Sequence, residues 1–100
     1  MNYSIRIHPE VVADLNEAVS FYDARKDGLG TVFVAEFQTT LNRIAAHPTL
    51  LNADSDGIRS IRFHRFPYVA HFRIHDLTIL IIAVMFGGRD PASWKKRANE

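Results

Sequence analysis

The first half of the chain carries a helical hydrophobic rhythm and the second half a strand-like one. Tyr3-Ser4-Ile5-Arg6-Ile7-His8 alternates apolar and polar residues, which predicts a half-buried strand. Pro9 follows and suits the first turn of a helix, where its missing N–H costs nothing. Val11, Leu15, Ala18 and Tyr22 recur at steps of three and four, forming one apolar stripe over about four turns. Asp27-Gly28-Leu29-Gly30 breaks the pattern with two glycines and reads as a short connection, with Thr31 as the N-cap of a second helix. Phe33, Phe37, Leu41 and Ile44 form the stripe of that helix. His47-Pro48 ends it, because the residue before a proline is pushed out of the α region. Two helices on so short a loop make an antiparallel hairpin.

Asn52-Ala53-Asp54-Ser55-Asp56-Gly57 is a polar loop, and from Ile58 the period changes to two. Ile61 and Phe63 alternate with Arg62 and His64. After Phe66-Pro67, Tyr68, Ala70, Phe72 and Ile74 alternate with Val69, His71, Arg73 and His75. His75-Asp76-Leu77-Thr78 reads as a tight turn. Leu77 to Phe86 is apolar on both parities, as expected of a central strand with both faces covered. Gly87-Gly88 ends that strand, and Asp90-Pro91 opens a short terminal helix containing Trp94. The predicted order is β-α-α-β-β-β-α, an α+β domain with the helical hairpin on one face of an antiparallel sheet.

The chain has 100 residues, which predicts one domain spanning 1–100. It has no cysteine, which excludes disulfides, thiolate metal sites and a cysteine nucleophile. Its longest apolar run, Ile79 to Phe86, is far below the roughly 20 residues needed to cross a bilayer. No secretory pattern opens the sequence, so the expected setting is cytoplasmic, without membrane partners. The net charge of +1 hides an asymmetry: residues 1–57 carry four basic and eight acidic side chains, residues 58–100 eight and three. A basic half suits a phosphate backbone or an acidic protein partner, although solvated charges can cluster by chance.

Strand parity sharpens that picture. If the apolar positions of the hairpin face the helices, the opposite face carries Arg62, His64, His71, Arg73 and His75 with no acid among them. A turn at Phe66-Pro67 allows two registers: Arg62 opposite His71, or Arg62 opposite Arg73 with His64 opposite His71. Either brings these groups within roughly 5–8 Å of one another, and Arg89 past the central strand can extend the patch. Metal binding is disfavoured, because His71 and His75 lie roughly 13 Å apart on a strand, with Arg73 between them. No cofactor is implied. Metal-free RNA cleavage needs a proton acceptor, a donor and cations for the developing phosphorane charge. His64 or His71 with Arg62, Arg73 and Arg89 supplies each role. The same face can equally dock an acidic segment or carry ordinary solvated strand residues. Trp94 reads as packing that caps the sheet edge, with base stacking the alternative, and Lys95-Lys96-Arg97 as a solvated end or a grip on a target. Asp14 and Glu17 read as an exposed acidic pair. Ser60 and Ser93 lack the context of a nucleophile elbow.

Several segments resemble the RelE/ParE superfamily of type II toxin–antitoxin toxins. They are His8-Pro9-Glu10, Gly28-Leu29-Gly30, Ile44-Ala45-Ala46-His47-Pro48, Ile61-Arg62-Phe63-His64-Arg65-Phe66-Pro67-Tyr68, Phe72-Arg73-Ile74, Ile82-Ala83-Val84 and Arg89-Asp90-Pro91-Ala92-Ser93-Trp94. They occur in order over nearly the whole chain. The resemblance implies a cytoplasmic toxin forming a hetero-oligomer with a cognate antitoxin that presents an acidic or amphipathic segment. RelE-like members cut mRNA on the ribosome, whereas ParE-like members poison DNA gyrase. The sequence departs from the RelE pattern: Phe86-Gly87-Gly88 stands where many relatives have a histidine, no tyrosine follows Tyr68, and the strand before the hairpin has no lysine. The long helical hairpin looks more like the ParE side. The expectation is a gyrase inhibitor, with Trp94, Lys95, Lys96 and Arg97 as target-binding residues. The alternatives are a ribosome-dependent mRNA endonuclease using Arg62, His64, His71, Arg73 and Arg89, or a decayed toxin that retains only antitoxin binding.

Overall fold

The computed structural model describes residues 2–99. Strand β1 (Ser4–Ile7) leads into helices α1 (Pro9–Arg25) and α2 (Leu29–Ala46). Strands β2 (Arg59–Arg62), β3 (Tyr68–His75) and β4 (Thr78–Phe86) follow, then two 3-10 turns at Pro91–Ser93 and Lys95–Asn99. The architecture is α+β, as the periodicities predict, with the terminal helix replaced by the 3-10 turns. The sheet order is β1-β4-β3-β2, in which β1 runs parallel to β4 and the other neighbours are antiparallel. The most apolar strand, β4, is therefore central.

Pro9 occupies the first turn of α1, and His8 caps it by accepting the Glu10 N–H on Nδ1 at 3.1 Å. The start of α2 differs from expectation. Its N-cap is Gly28 rather than Thr31, and Gly28 has φ +84°, a conformation that favours glycine. Two residues on, Gly30 N–H donates to Asp23 Oδ1 at 2.7 Å, and a Cβ at Gly30 would lie 2.7 Å from Val19 Cγ1. The glycine lets the two helices approach closely, and this tertiary constraint moves the helix start three residues ahead of the Thr31 signal.

Both helical stripes pack on one face of the sheet. Val11, Ala18, Tyr22, Phe33, Phe37, Leu41 and Ile44 are buried against Phe63, Ala70, Phe72, Ile79, Ile81 and Val84. Phe33 sits at the centre, fully buried, with ring centroids of Tyr68, Phe66 and Phe63 at 4.9, 5.1 and 5.3 Å. Such aromatic contacts add to the stabilisation from area burial alone.

The register of β2 on β3 is neither of the two expected. Arg62 pairs with Val69, Ile61 with Ala70 and Ser60 with His71, and Phe63 N–H closes the hairpin on the Tyr68 carbonyl at 2.9 Å. The predicted parity is kept, so core still faces core. The slip follows from a longer turn: Phe66 folds inward among the aromatics while the Pro67 carbonyl accepts Gly87 N–H. On the other side of β3 a bulge pairs His71 with Ala83 and Phe72 with Ile81, leaving Ile82 extra. The helix-facing positions of β4 accordingly run Ile79, Ile81, Val84, while Ile82, Ala83 and Met85 point to the rear face.

Candidate functional site

The rear face is the surface on which the sequence concentrates basic residues, and the C-terminal segment packs onto part of it. Asp90 starts the segment by accepting Ala92 N–H on its side chain. Trp94 is then laid over Ile58, Ile82, Ala83 and Met85 with 3% of its surface exposed. Its ring stacks on His71 at 3.9 Å and 19°. Among the described residues, its Nε1 is the buried side-chain polar atom without a hydrogen-bond partner.

Arg97 anchors the segment. Its guanidinium grips Asp14 in a bidentate pair at 2.8 and 3.1 Å, donates to the Ile82 carbonyl at 3.1 Å and approaches Glu10 at 3.7 Å. Asp14 also accepts Val84 N–H at 3.0 Å. The pair thus serves backbone groups on both sides of the bulge and ties α1, β4 and the C-terminus together. This corrects the reading of Asp14 as an exposed acid, since its side chain is only 7% exposed. Periodicity put it on the polar face of α1, and only a partner 83 residues away makes it structural. Lys95 reaches Asp56 at 2.8 Å and Asp54 at 3.1 Å. Those bonds, first that to Asp56, raise the Lys95 pKa, while the Ile58 N–H chiefly lowers that of Asp54. Lys96 is exposed.

His71 is half-buried beneath Trp94, and its Nδ1 lies 2.7 Å from Ser60 Oγ. Burial pushes its pKa down to about 4, so the imidazole is neutral at physiological pH. Arg73 donates to the Ala98 carbonyl at 2.9 Å. Arg62 and His64 lie exposed at the far end of the hairpin. The Arg62 carbonyl accepts from Arg43, and His64 N–H donates to Glu36. Arg89 lines a cavity of about 240 Å³ with Tyr68, Glu17, Ser93 and Arg97, at the end of β4 beside α1. Burial, then Tyr22 and Glu17, raise the Tyr68 pKa there. The structure therefore brings His71, Arg73, Trp94 and Lys95 together and leaves Arg62, His64 and Arg89 in two other places. Among the described residues no three His, Asp or Glu side chains are grouped as metal ligands.

A helical hairpin on a four-stranded sheet with a leading parallel edge strand is the architecture that the sequence resemblance to RelE/ParE toxins implies. The family model for the ParE toxin of the type II toxin–antitoxin system parDE matches residues 5–91, and the chain belongs to that family. The match stops before Trp94, so the segment holding Trp94 to Arg97 lies outside it. No curated protein matches the sequence. Among solved structures, the chromosomal ParDE toxin–antitoxin system from P. aeruginosa has a similar chain, at TM-score 0.73 and 17% identity, covering 82% of this chain and 92% of that one. At that identity the likeness is one of fold. Among the described residues no helix is long and apolar enough to cross a membrane.

Proposed function

We propose that this type II toxin acts by inhibiting DNA gyrase rather than by cleaving RNA, and that an acidic or amphipathic segment of its antitoxin neutralises it. The observation that carries this reading is the placement of the basic groups. Cleavage by attack of a 2′-hydroxyl needs acid, base and cations within hydrogen-bond reach of one phosphate. Here His71 is neutral, stacked under Trp94 and engaged with Ser60, and Arg73 is engaged with Ala98. Arg62, His64 and Arg89 lie elsewhere. Membership of the ParE family supports the same direction.

In this reading Lys96 offers the exposed positive charge to the target. Trp94, Lys95 and Arg97 act as positioning residues that hold the segment in shape. The test is a purified supercoiling assay with gyrase, plasmid and ATP, beside a translation extract programmed with a defined mRNA. The expected result is loss of supercoiling or trapped double-strand breaks, with the message intact. Cleaved message with supercoiling unaffected would sink the proposal.

A further inference from the structure

Beyond the described residues of the C-terminal segment, the rear face holds a second arrangement of charges, built by strand pairing across three strands. Arg6 on β1 and Arg73 on β3 both pair with Leu80 on β4, so the three stand in one row across the sheet. In the next row Ser4 and His75 both pair with Thr78, and the Ser4 and Thr78 hydroxyl oxygens lie 3.5 Å apart. The helices cover the other side: Ile5 and Ile79, one step along each strand, pack into the helix-facing core. An open cleft of about 840 Å³ lies over these rows, walled at one end by Ile7, His8 and Pro9. Two strand spacings separate the Arg6 and Arg73 backbones by about 10 Å. Among the described residues no carboxylate lines the cleft, Arg6 has no ion pair, and His75 meets Asp76 at the exposed rim at 3.6 Å. Ile7 is 42% exposed beside them.

We propose that this cleft binds an extended acidic peptide in which carboxylates flank an apolar side chain, and, resting on the toxin reading above, that the antitoxin supplies it. The row of arginine, leucine and arginine is complementary to an acid–apolar–acid pattern. In an extended chain alternate residues share a face, so acid, apolar and acid side chains at i, i+2 and i+4 span about 13 Å, within reach of two long arginine side chains whose backbones stand about 10 Å apart. The Arg6 guanidinium can take a carboxylate in a bidentate pair, and Arg73 can do so through the N–H groups not given to the Ala98 carbonyl. The Thr78 hydroxyl in the cleft lining supplies a donor for a peptide carbonyl. Single-stranded nucleic acid fits less well, because binding it draws on stacking platforms and, among the described residues, no Phe, Tyr or Trp lines the cleft.

The test uses the full chain and a fluorescent synthetic peptide, Glu-Ala-Leu-Ala repeated three times, titrated by anisotropy and by amide chemical shifts. A uridine oligonucleotide of equal charge serves as the second probe. The expected result is saturable peptide binding, weakened at least tenfold between 50 and 300 mM salt, with shifts centred on Arg6, Arg73, Thr78 and Leu80. The double variant Arg6→Glu/Arg73→Glu loses at least tenfold in affinity, Arg6→Lys/Arg73→Lys retains most of it, and Lys26→Glu, exposed between the helices, changes it less than twofold. Far-UV and near-UV dichroism confirm that each variant is folded. Absence of binding, shifts centred instead on the exposed pair Leu50 and Leu51 that follows α2, or preferential binding of the oligonucleotide would each overturn the proposal. The supercoiling assay is read independently, so the peptide site can fail while the gyrase reading stands, and the reverse.

Discussion

The two faces of the sheet share four strands but are held by different physics. The front face is closed by two long helices through a continuous aromatic and aliphatic core, with Phe33 fully buried among four rings. The rear face is covered in part by a nine-residue stretch of 3-10 turns and loop, which relies on one tryptophan, a bidentate ion pair and lysine bonds to a loop. Helices bury area along their whole length, whereas a short irregular segment depends on a few directional contacts. The front face therefore sets the fold, and the rear face decides what the basic half of the chain presents to a partner.

The comparison can be broken most sharply on the front. Phe33→Ala is expected to cost about 4–5 kcal/mol, the upper end for an aromatic truncation in a core that cannot collapse, seen as a lower denaturant midpoint in the whole protein. On the rear face the largest effect belongs to Asp14→Ala, which takes the bidentate carboxylate away from the buried Arg97 guanidinium and is expected to cost about 3 kcal/mol. The double variant Asp14→Leu/Arg97→Met should recover only part of that loss, because the Val84 N–H and the Ile82 carbonyl still lose these partners. If it recovers none, the loss in Asp14→Ala does not come from the uncompensated Arg97 charge.

Trp94→Phe sharpens the contrast further. It removes the orphaned indole N–H, whose burial costs about 1–3 kcal/mol, together with some packing area, so net stability should stay within about 1 kcal/mol of the parent. A much larger loss in the same denaturation measurement would show that the indole has a partner in solution.

The smallest expected effect is a pH dependence. His71 in the folded protein has a pKa near 4 against 6.5 for an ordinary histidine. Between those values the unfolded chain binds a proton that the folded protein does not, so stability should rise with pH from about 4 to 6.5 and level off above. Because the group is only partly buried, the slope is shallow. His71→Gln should flatten it, and an unchanged slope in that variant would assign the titration to other groups.

Much of this was legible from spacing. The helical stripes, the alternating strands, the two-parity run of β4 and the tight turn at Asp76, which has φ 53°, follow local periods. What escaped lies in long-range pairings that leave no local pattern. Asp14 looks like any solvent-facing acid on an amphipathic helix until Arg97 meets it. The hairpin register depends on Phe66 turning inward, which two candidate pairings of equal parity do not reveal. The rear cover escaped because 3-10 turns have no hydrophobic period to detect. The Arg6–Leu80–Arg73 row needs the parallel pairing of β1 with β4, which joins the two ends of the chain.

The central claim is that this family member poisons gyrase and does not cut RNA. The most direct measurement is induced expression of the chain alone, following DNA integrity and protein synthesis separately through the first minutes. DNA breakage and filamentation while translation continues is the predicted result. Early arrest of translation with intact DNA would contradict the claim, as would growth without any effect.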